Sequence, residues 1–142
     1  MTNKSVEAFK RLTDNLKAQV HAHAVEQLRL EADKLAQTIE QVAPVYQGPT
    51  EPGVQPGALK HSVRVVPDAT KDTIVRVVAG GQQTVRPAIS TTPYDYARAD
   101  EFGTVKMKAR PFFFPTYRLM KKGIINEMKR RIRADIKAVS AE

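Results

Sequence analysis

Cysteine and tryptophan are both missing from this 142-residue chain. Without cysteine there are no disulfides, no thiolate metal sites and no sulfur nucleophile, a composition at home in a reducing compartment. Long apolar runs are missing too: nothing approaches the ~20 residues that a membrane span requires. The opening MTNKSVEAFKRL has no apolar stretch of the kind that drives secretion, so the chain is expected to stay in the cytosol where it is made. Aromatic residues are scarce at 6%, yet three of the five phenylalanines stand in one run, Phe112, Phe113 and Phe114.

The groupings that catalysis needs are also lacking. His21 and His23 lie two apart on a helical stretch, about 200° around the axis, and cannot chelate one metal as an i, i+4 pair could. His61 stands alone at what reads as a strand start. Asp100 and Glu101 are adjacent and, on a strand, would point to opposite sides, so they are not a pair of cooperating acid-base carboxylates. Glu101 is expected to pair with an arginine or to cap a turn. Gly80-Gly81 is not followed by the Lys-Ser/Thr of a phosphate loop and reads as a turn. No enzymatic activity, cofactor or metal is expected.

What the chain does have is length for one domain with a real core, and an uneven charge. The formal net charge is +8. Residues 1–57 hold 6 basic and 7 acidic residues, whereas residues 58–142 hold 17 and 8, so the excess belongs to the second part. A basic half points to a polyanionic neighbour, nucleic acid or an acidic protein surface.

In chain order, residues 1–43 read as one long helix, free of Gly and Pro from residue 5 to 42. Val6, Phe9, Leu12, Leu16 and Val20 form one apolar stripe; Val25, Leu28, Leu35, Ile39 and Val42 form a second, offset by a quarter turn or more. A straight helix of this length spans roughly 57 Å at 1.5 Å per residue, far beyond the ~15 Å radius of gyration of such a globule. The helix is therefore expected to break near His21-Ala22-His23, or to carry its first half onto a neighbouring subunit. Pro44 stops it, and residues 44–58 form a Pro/Gly-rich loop, either a surface excursion or a segment that orders on assembly.

Residues 59–110 are expected to build a small antiparallel sheet of three to four strands. Residues 62–66 and 73–79 are β-branched runs that read as a hairpin, Tyr94–Phe102 as a third strand and Thr104–Ala109 as a fourth; residues 82–93 read as a loop or irregular edge. Residues 111–142 carry the last helix. Tyr117, Met120, Ile124, Ile125, Met128, Ile132, Ile136 and Val139 fall on one side of it. Arg118, Lys122, Lys129, Arg130, Arg133 and Lys137 fall on the adjacent face, and Lys121, inside the apolar stripe, must snorkel or meet a partner. The predicted fold is α+β, with the sheet covered by the long N-terminal helix and the basic C-terminal helix.

The chain turns from strand to helix chemistry in YARADEFGTVKMKARPFFFPTYRLM, Tyr96 to Met120. Gly103 can reverse the chain, and Pro115 suits a helix's first turn. Base-stacking platforms set aromatics on an exposed sheet, so Phe112–Phe114, held between two prolines, are expected to be buried in the core or a subunit interface. The order of Tyr96, Ala97, Glu101, Phe102, Gly103, Thr104, then Arg110, Pro111, Phe112 and Pro115, with Pro44, Gly57, Leu59 and Ser62 upstream, resembles the siphophage neck or tail-completion family, the lambdoid minor tail components encoded near head-to-tail joining proteins. The likeness spans about residues 30–140, with GPTEPGVQP inserted where the family moves quickly from its Pro to its Gly-x-Leu turn.

That resemblance implies a structural virion protein of a phage or prophage, assembled in the host cytoplasm. It would form a ring of about six or about twelve copies at the head-to-tail junction, between head-completion or connector proteins and tail-tube or tail-terminator proteins. The two faces of the ring contact are expected to come from Phe9, Leu12 and Leu16 on one side and Tyr96, Glu101, Phe102, Gly103, Arg110, Phe112, Phe113 and Phe114 on the other. The basic face is expected to meet the channel, an adjacent ring or passing DNA, and no membrane. The alternative function, from the charge alone, is sequence-independent DNA binding by the last helix, with affinity that falls steeply with salt.

Overall fold

The computed structural model describes residues 3–48, 55–86 and 93–141. In order they form α1 (Asn3–Val42), α2 (Ala58–His61), β1 (Arg64–Pro67), β2 (Val75–Val78), β3 (Val85–Arg86), β4 (Tyr94–Asp95), α3 (Tyr96–Phe102) and α4 (Phe113–Ser140). The fold mixes helix and strand, with a long N-terminal helix, a small antiparallel two-stranded sheet and a C-terminal helix. No helix among the described residues is long and apolar enough to cross a membrane.

The chain divides into two compact units. Unit 1 takes Met1–Glu31 and Lys122–Glu142; unit 2 takes Ala32–Lys121. Both long helices run through both units, and α1 is continuous over its 40 residues. The break expected near His21-Ala22-His23 does not occur: the segment is rich in alanine and has neither Gly nor Pro to end the hydrogen-bond ladder.

In unit 2, α1 buries Ala32, Leu35, Ala36 and Ile39, with Ala43 just past its end. Val42, expected on that stripe, is 50% exposed. Pro44 follows directly and cannot extend the ladder. The short helix α2, in place of the start of the expected sheet, begins at Gly57, whose φ of 83° needs no Cβ. It buries Ala58 and Leu59 and places His61 at its end. Ser62 then donates to Leu59 O (2.6 Å) and accepts from Gly80 N (2.8 Å), which fastens α2 to the far end of the hairpin.

β1 and β2 pair antiparallel with Val65 opposite Val77, as the two β-branched runs predict. Asp68 shapes their turn by accepting from Thr70 N, Thr70 Oγ1 and Lys71 N, and it pairs with Arg76 at 2.9 Å. Those donors hold its carboxyl well below the usual range, the Thr70 N–H most of all.

Among the described residues no sheet has more than two strands, so the expected sheet of three to four strands is not seen there. β3 and β4 make a separate antiparallel pair of two residues each, and the expected third strand ends at Asp95. From Tyr96 the chain is helical because Asp95 caps it, accepting from Ala97 N at 2.9 Å, and because residues 95–103 contain no β-branched side chain to resist helix. The fourth strand is absent too. Thr104 closes a tight bend over Val105–Met107, through Thr104 N–H to Met107 O (2.8 Å) and Met107 N–H to Thr104 Oγ1 (3.0 Å).

Of the Pro/Gly-rich loop, residues 49–54 lie outside the described residues, as do residues 87–92 of the second loop. Any ordering of the first on assembly therefore falls largely outside the described part.

Unit 1 is built from the first part of α1 and the last part of α4. His23 Nδ1 lies 3.4 Å from Asp135 Oδ1, an ion pair when the imidazole is protonated. Gln27 Nε2 donates to Glu31 Oε1 at 2.8 Å. Leu16, Val20, Val25 and Leu28 of α1, and Ile124, Met128, Ile132 and Val139 of α4, are half-buried, while Ile125 and Ile136 are exposed. Among the described residues, every buried apolar side chain belongs to unit 2.

Candidate functional site: the carboxylate clasp and the surfaces around it

Three carboxylates hold the segment Asp95–Thr116, Asp95 to the preceding turn and Asp100 and Glu101 to the returning chain. Asp95 accepts from Gly81 N (3.0 Å), Ala97 N (2.9 Å) and Thr84 Oγ1 (2.6 Å), so one side chain caps α3 and holds the Gly80-Gly81 turn against it. Gly80 has φ 94°, and an added Cβ would stand 2.5 Å from Asp95 Oδ2. Thr84 is completely buried in this junction.

Asp100 and Glu101 are both buried, at 5% and 7% exposure. They lie on a helix and not, as expected, on opposite sides of a strand, and they take consecutive parts of the returning chain. Asp100 Oδ1 accepts from Arg110 Nη2 at 2.6 Å and Nε at 3.1 Å, while its carbonyl accepts Arg110 N–H at 2.6 Å. Glu101 caps a helix that starts 12 residues later. Its Oε2 accepts from Phe112 N (2.8 Å) and Phe113 N (3.0 Å), and its Oε1 from Phe114 N (3.0 Å).

An α-helix leaves its first four N–H groups without an intrahelical acceptor. For α4 these belong to residues 112–115. Glu101 satisfies the first three, and Pro115 has no N–H to satisfy. A negative charge there also opposes the positive end of the helix dipole. Phe112 is a poor N-cap residue, so a carboxylate from α3 supplies what its own side chain cannot.

Gly103 makes the return possible. It has φ 75°, donates to Ala99 O at 2.8 Å, and leaves room for the backbone of the link: a Cβ there would meet Ala109 N at 2.8 Å and Met107 O at 3.0 Å. The spacing from Glu101 to Phe112 is thus the length of a clasp.

Two concavities of unit 2 flank it. A cleft of about 520 Å³ is lined by Tyr46, Leu59, Arg86, Tyr96, Met107 and Arg110, among others. Arg86 sits over the Tyr46 ring at 5.4 Å and over the Tyr96 ring at 5.2 Å. Burial pushes the Tyr96 phenol up, against the pull of Arg86. A shallower apolar groove of about 330 Å³ is lined by Val77, Val78, Ala97, Phe102 and Phe112–Phe114. The phenylalanines form a ladder, with centroids 6.0 Å apart for Phe102 and Phe114, 5.4 Å for Phe113 and Phe114, and 6.4 Å for Phe112 and Phe113.

The residues expected at a subunit contact separate into two sets. Glu101 and Phe112 are buried within the chain, Tyr96 lies under Arg86, Gly103 lies against the returning link and Arg110 pairs with Asp100, so these five already have contacts within one chain. Phe102 and Phe114 stay 63% and 42% exposed, and Phe113 is half-buried. In unit 1, Phe9 and Leu12 are 69% and 68% exposed and Leu16 is half-buried.

On α4 all six residues of the expected basic face are exposed. Lys121 reaches back over the Tyr117 ring, 5.8 Å from its centroid. Arg130 and Arg131 are tied to Glu127 at 2.7 and 3.0 Å, a pairing that lowers the Glu127 carboxyl to about 2 and raises the Arg130 guanidinium. Among the described residues no group of three or more His, Asp or Glu side chains is placed to hold a metal ion.

Reading the sequence did not find Asp68, Asp95 or the Asp100–Arg110 pair. For Asp95 a signal was present: an Asp directly before an alanine-rich stretch free of β-branched residues. No family model, curated protein or solved structure matches this chain.

Proposed function

We propose that this chain is a structural subunit that works in a closed ring at the head-to-tail junction of a siphophage-like particle, where it completes the neck or the top of the tail. The observation that carries the reading is the distribution of apolar surface. Among the described residues of unit 1 no apolar side chain is buried, and Phe9, Leu12, Phe102 and Phe114 stand exposed. An apolar patch of this kind marks a surface made for association. Two such patches on different parts of one chain suit a heterologous contact, in which one face meets a different face of the next copy and the assembly closes on itself.

The motif order from Tyr96 to Pro115 supplies the biological setting. In this reading the clasp residues are a fold signature, since Glu101, Gly103 and Arg110 fix how α4 leaves α3 and therefore where Phe102 and Phe114 are displayed. The neighbours would be head-completion or connector proteins on one side and tail-tube or tail-terminator proteins on the other.

Native mass measurement of the full chain at micromolar concentration, with electron-microscope images of the same sample, tests the proposal. A discrete closed ring is expected. A monodisperse monomer under those conditions would overturn it.

A further inference from the structure

The charge on α4 exceeds what a solvated helix face needs, and it is arranged along a line. α1 provides the comparison within the same chain: Asn3–Val42 carries 6 basic and 6 acidic residues, whereas Phe113–Ser140 carries 8 and 2. Both acids of α4 are already engaged, Glu127 with Arg130 and Arg131 and Asp135 with His23. At 100° per residue they lie about 140° and 220° around the helix from Lys122.

Lys122, Lys129, Arg133 and Lys137 fall within an arc of about 80°, on a row about 22 Å long at 1.5 Å per residue. All four are exposed and belong to unit 1. Lys129 with Arg133, and Arg133 with Lys137, are like-charged i, i+4 neighbours that repel one another. The row keeps one sign against the helix's own preference.

We infer that the row Lys122, Lys129, Arg133 and Lys137 is a binding surface for the phosphate backbone of double-stranded DNA. Three of the four are lysines, compact and strongly hydrated charges on flexible stems. Lysine is depleted where two proteins bury surface against each other, whereas contacts to DNA phosphates are wet and tolerate side chains that adjust in register. Single-stranded nucleic acid is bound largely by aromatic stacking, and Lys122–Ser140 contains no aromatic residue. With no base-reading Asn/Gln/Arg cluster on the row itself, the contact is electrostatic and independent of sequence.

The test is a fluorescence-anisotropy titration of the full chain against a mixed-sequence duplex, from low to physiological salt. Four phosphate contacts predict that log K falls against log salt with a slope of about −3 to −4. Changing Lys122, Lys129, Arg133 and Lys137 together to Gln should weaken binding at least about tenfold and flatten the slope. A control with the same loss of charge, Lys60, Lys71, Lys106 and Lys108 to Gln, should retain most of both.

Absence of duplex binding at low salt would overturn the inference, as would a slope near zero, equal loss in both variants, or preference for single strands or an acidic polypeptide. Should the fourfold variant fail to fold, the single changes Lys129→Gln and Lys137→Gln are each expected to reduce the slope by about one unit, and an unchanged slope in both would overturn the assignment. Ring formation is read by mass and duplex binding by anisotropy, so either reading can fail alone.

Discussion

Glu101 Oε2 accepts the backbone N–H of Phe112 at 2.8 Å, and through that contact the end of α3 fixes the start of α4. The carboxylate is buried and is shared among three N–H donors. Glu101→Ala would strand three backbone donors and should lower stability by about 3 kcal/mol, the upper part of the range for hydrogen bonds to a charged group. For a chain of this size that is a fall of very roughly 10 °C in Tm. Glu101→Gln keeps the shape but turns an NH2 toward an N–H, so it should recover only part of the loss. Thermal melts of both variants check the order wild type, Gln, Ala.

Two glycines should respond in opposite directions to the same substitution. Gly103→Ala places a Cβ 2.8 Å from Ala109 N at a φ of 75°, and both the neighbour and the conformation are backbone, which cannot yield cheaply. A loss of about 2 kcal/mol or more is expected. Gly123 lies within α4, where an added Cβ meets nothing within 4 Å. Gly123→Ala should stabilise the protein by about 0.5–1 kcal/mol through helix propensity. Urea unfolding of the two variants reads both signs.

The parts of the fold that could be read from sequence are those with strong periodicity or strong punctuation. α1 and α4 announce themselves by composition and stripe, the β1–β2 hairpin by two β-branched runs, and Pro44 by its missing N–H. The segment from Tyr96 to Phe102 misled because YARADEF alternates in size and polarity much as a strand does, and one capping interaction, Asp95 to Ala97 N, decides for helix. The core was hard to see for another reason. Among the described residues, six of the ten buried apolar side chains are alanines, Ala32, Ala36, Ala43, Ala58, Ala97 and Ala99, where the chain packs through close backbone approach and not through large side chains. At the clasp, the need for an acceptor could be seen in Phe112–Pro115, but the identity of the acceptor depended on a chain reversal that sequence spacing alone did not show.

Acid should act on two half-buried carboxylates whose folded-state values are depressed. Asp68 and Glu127 both bind protons more weakly folded than unfolded, so their contributions are complete above the ordinary carboxylate range and are lost as pH falls. For Glu127 the window runs from its ordinary 4.5 down to about 2. Stability measured by denaturant should therefore be flat near neutrality with respect to these groups and decline below about pH 4.5. Asp68→Asn should shift the decline from the hairpin side and Glu127→Gln from the α4 side. A variant that left the acid limb unchanged would show that its pairing contributes nothing to folding.

Association should depend on residues that the monomer does not need. Phe9 is 69% exposed and Phe112 is 4% exposed, although both are phenylalanines on or beside a long helix. If the ring forms through the exposed set, Phe9→Ser should leave the unfolding curve of the dissociated chain within about 0.5 kcal/mol of wild type, as for a surface change away from special features. The same change should weaken self-association by about ten- to a hundredfold, the effect of removing an aromatic anchor from an interface. Phe112→Ala should do the reverse, costing about 3–5 kcal/mol of stability because it empties a packed site. Sedimentation over a concentration series separates the two effects. Equal association of the wild-type and Phe9→Ser chains would move the contact away from the first turns of α1 and leave Phe102 and Phe114 as the face to test next.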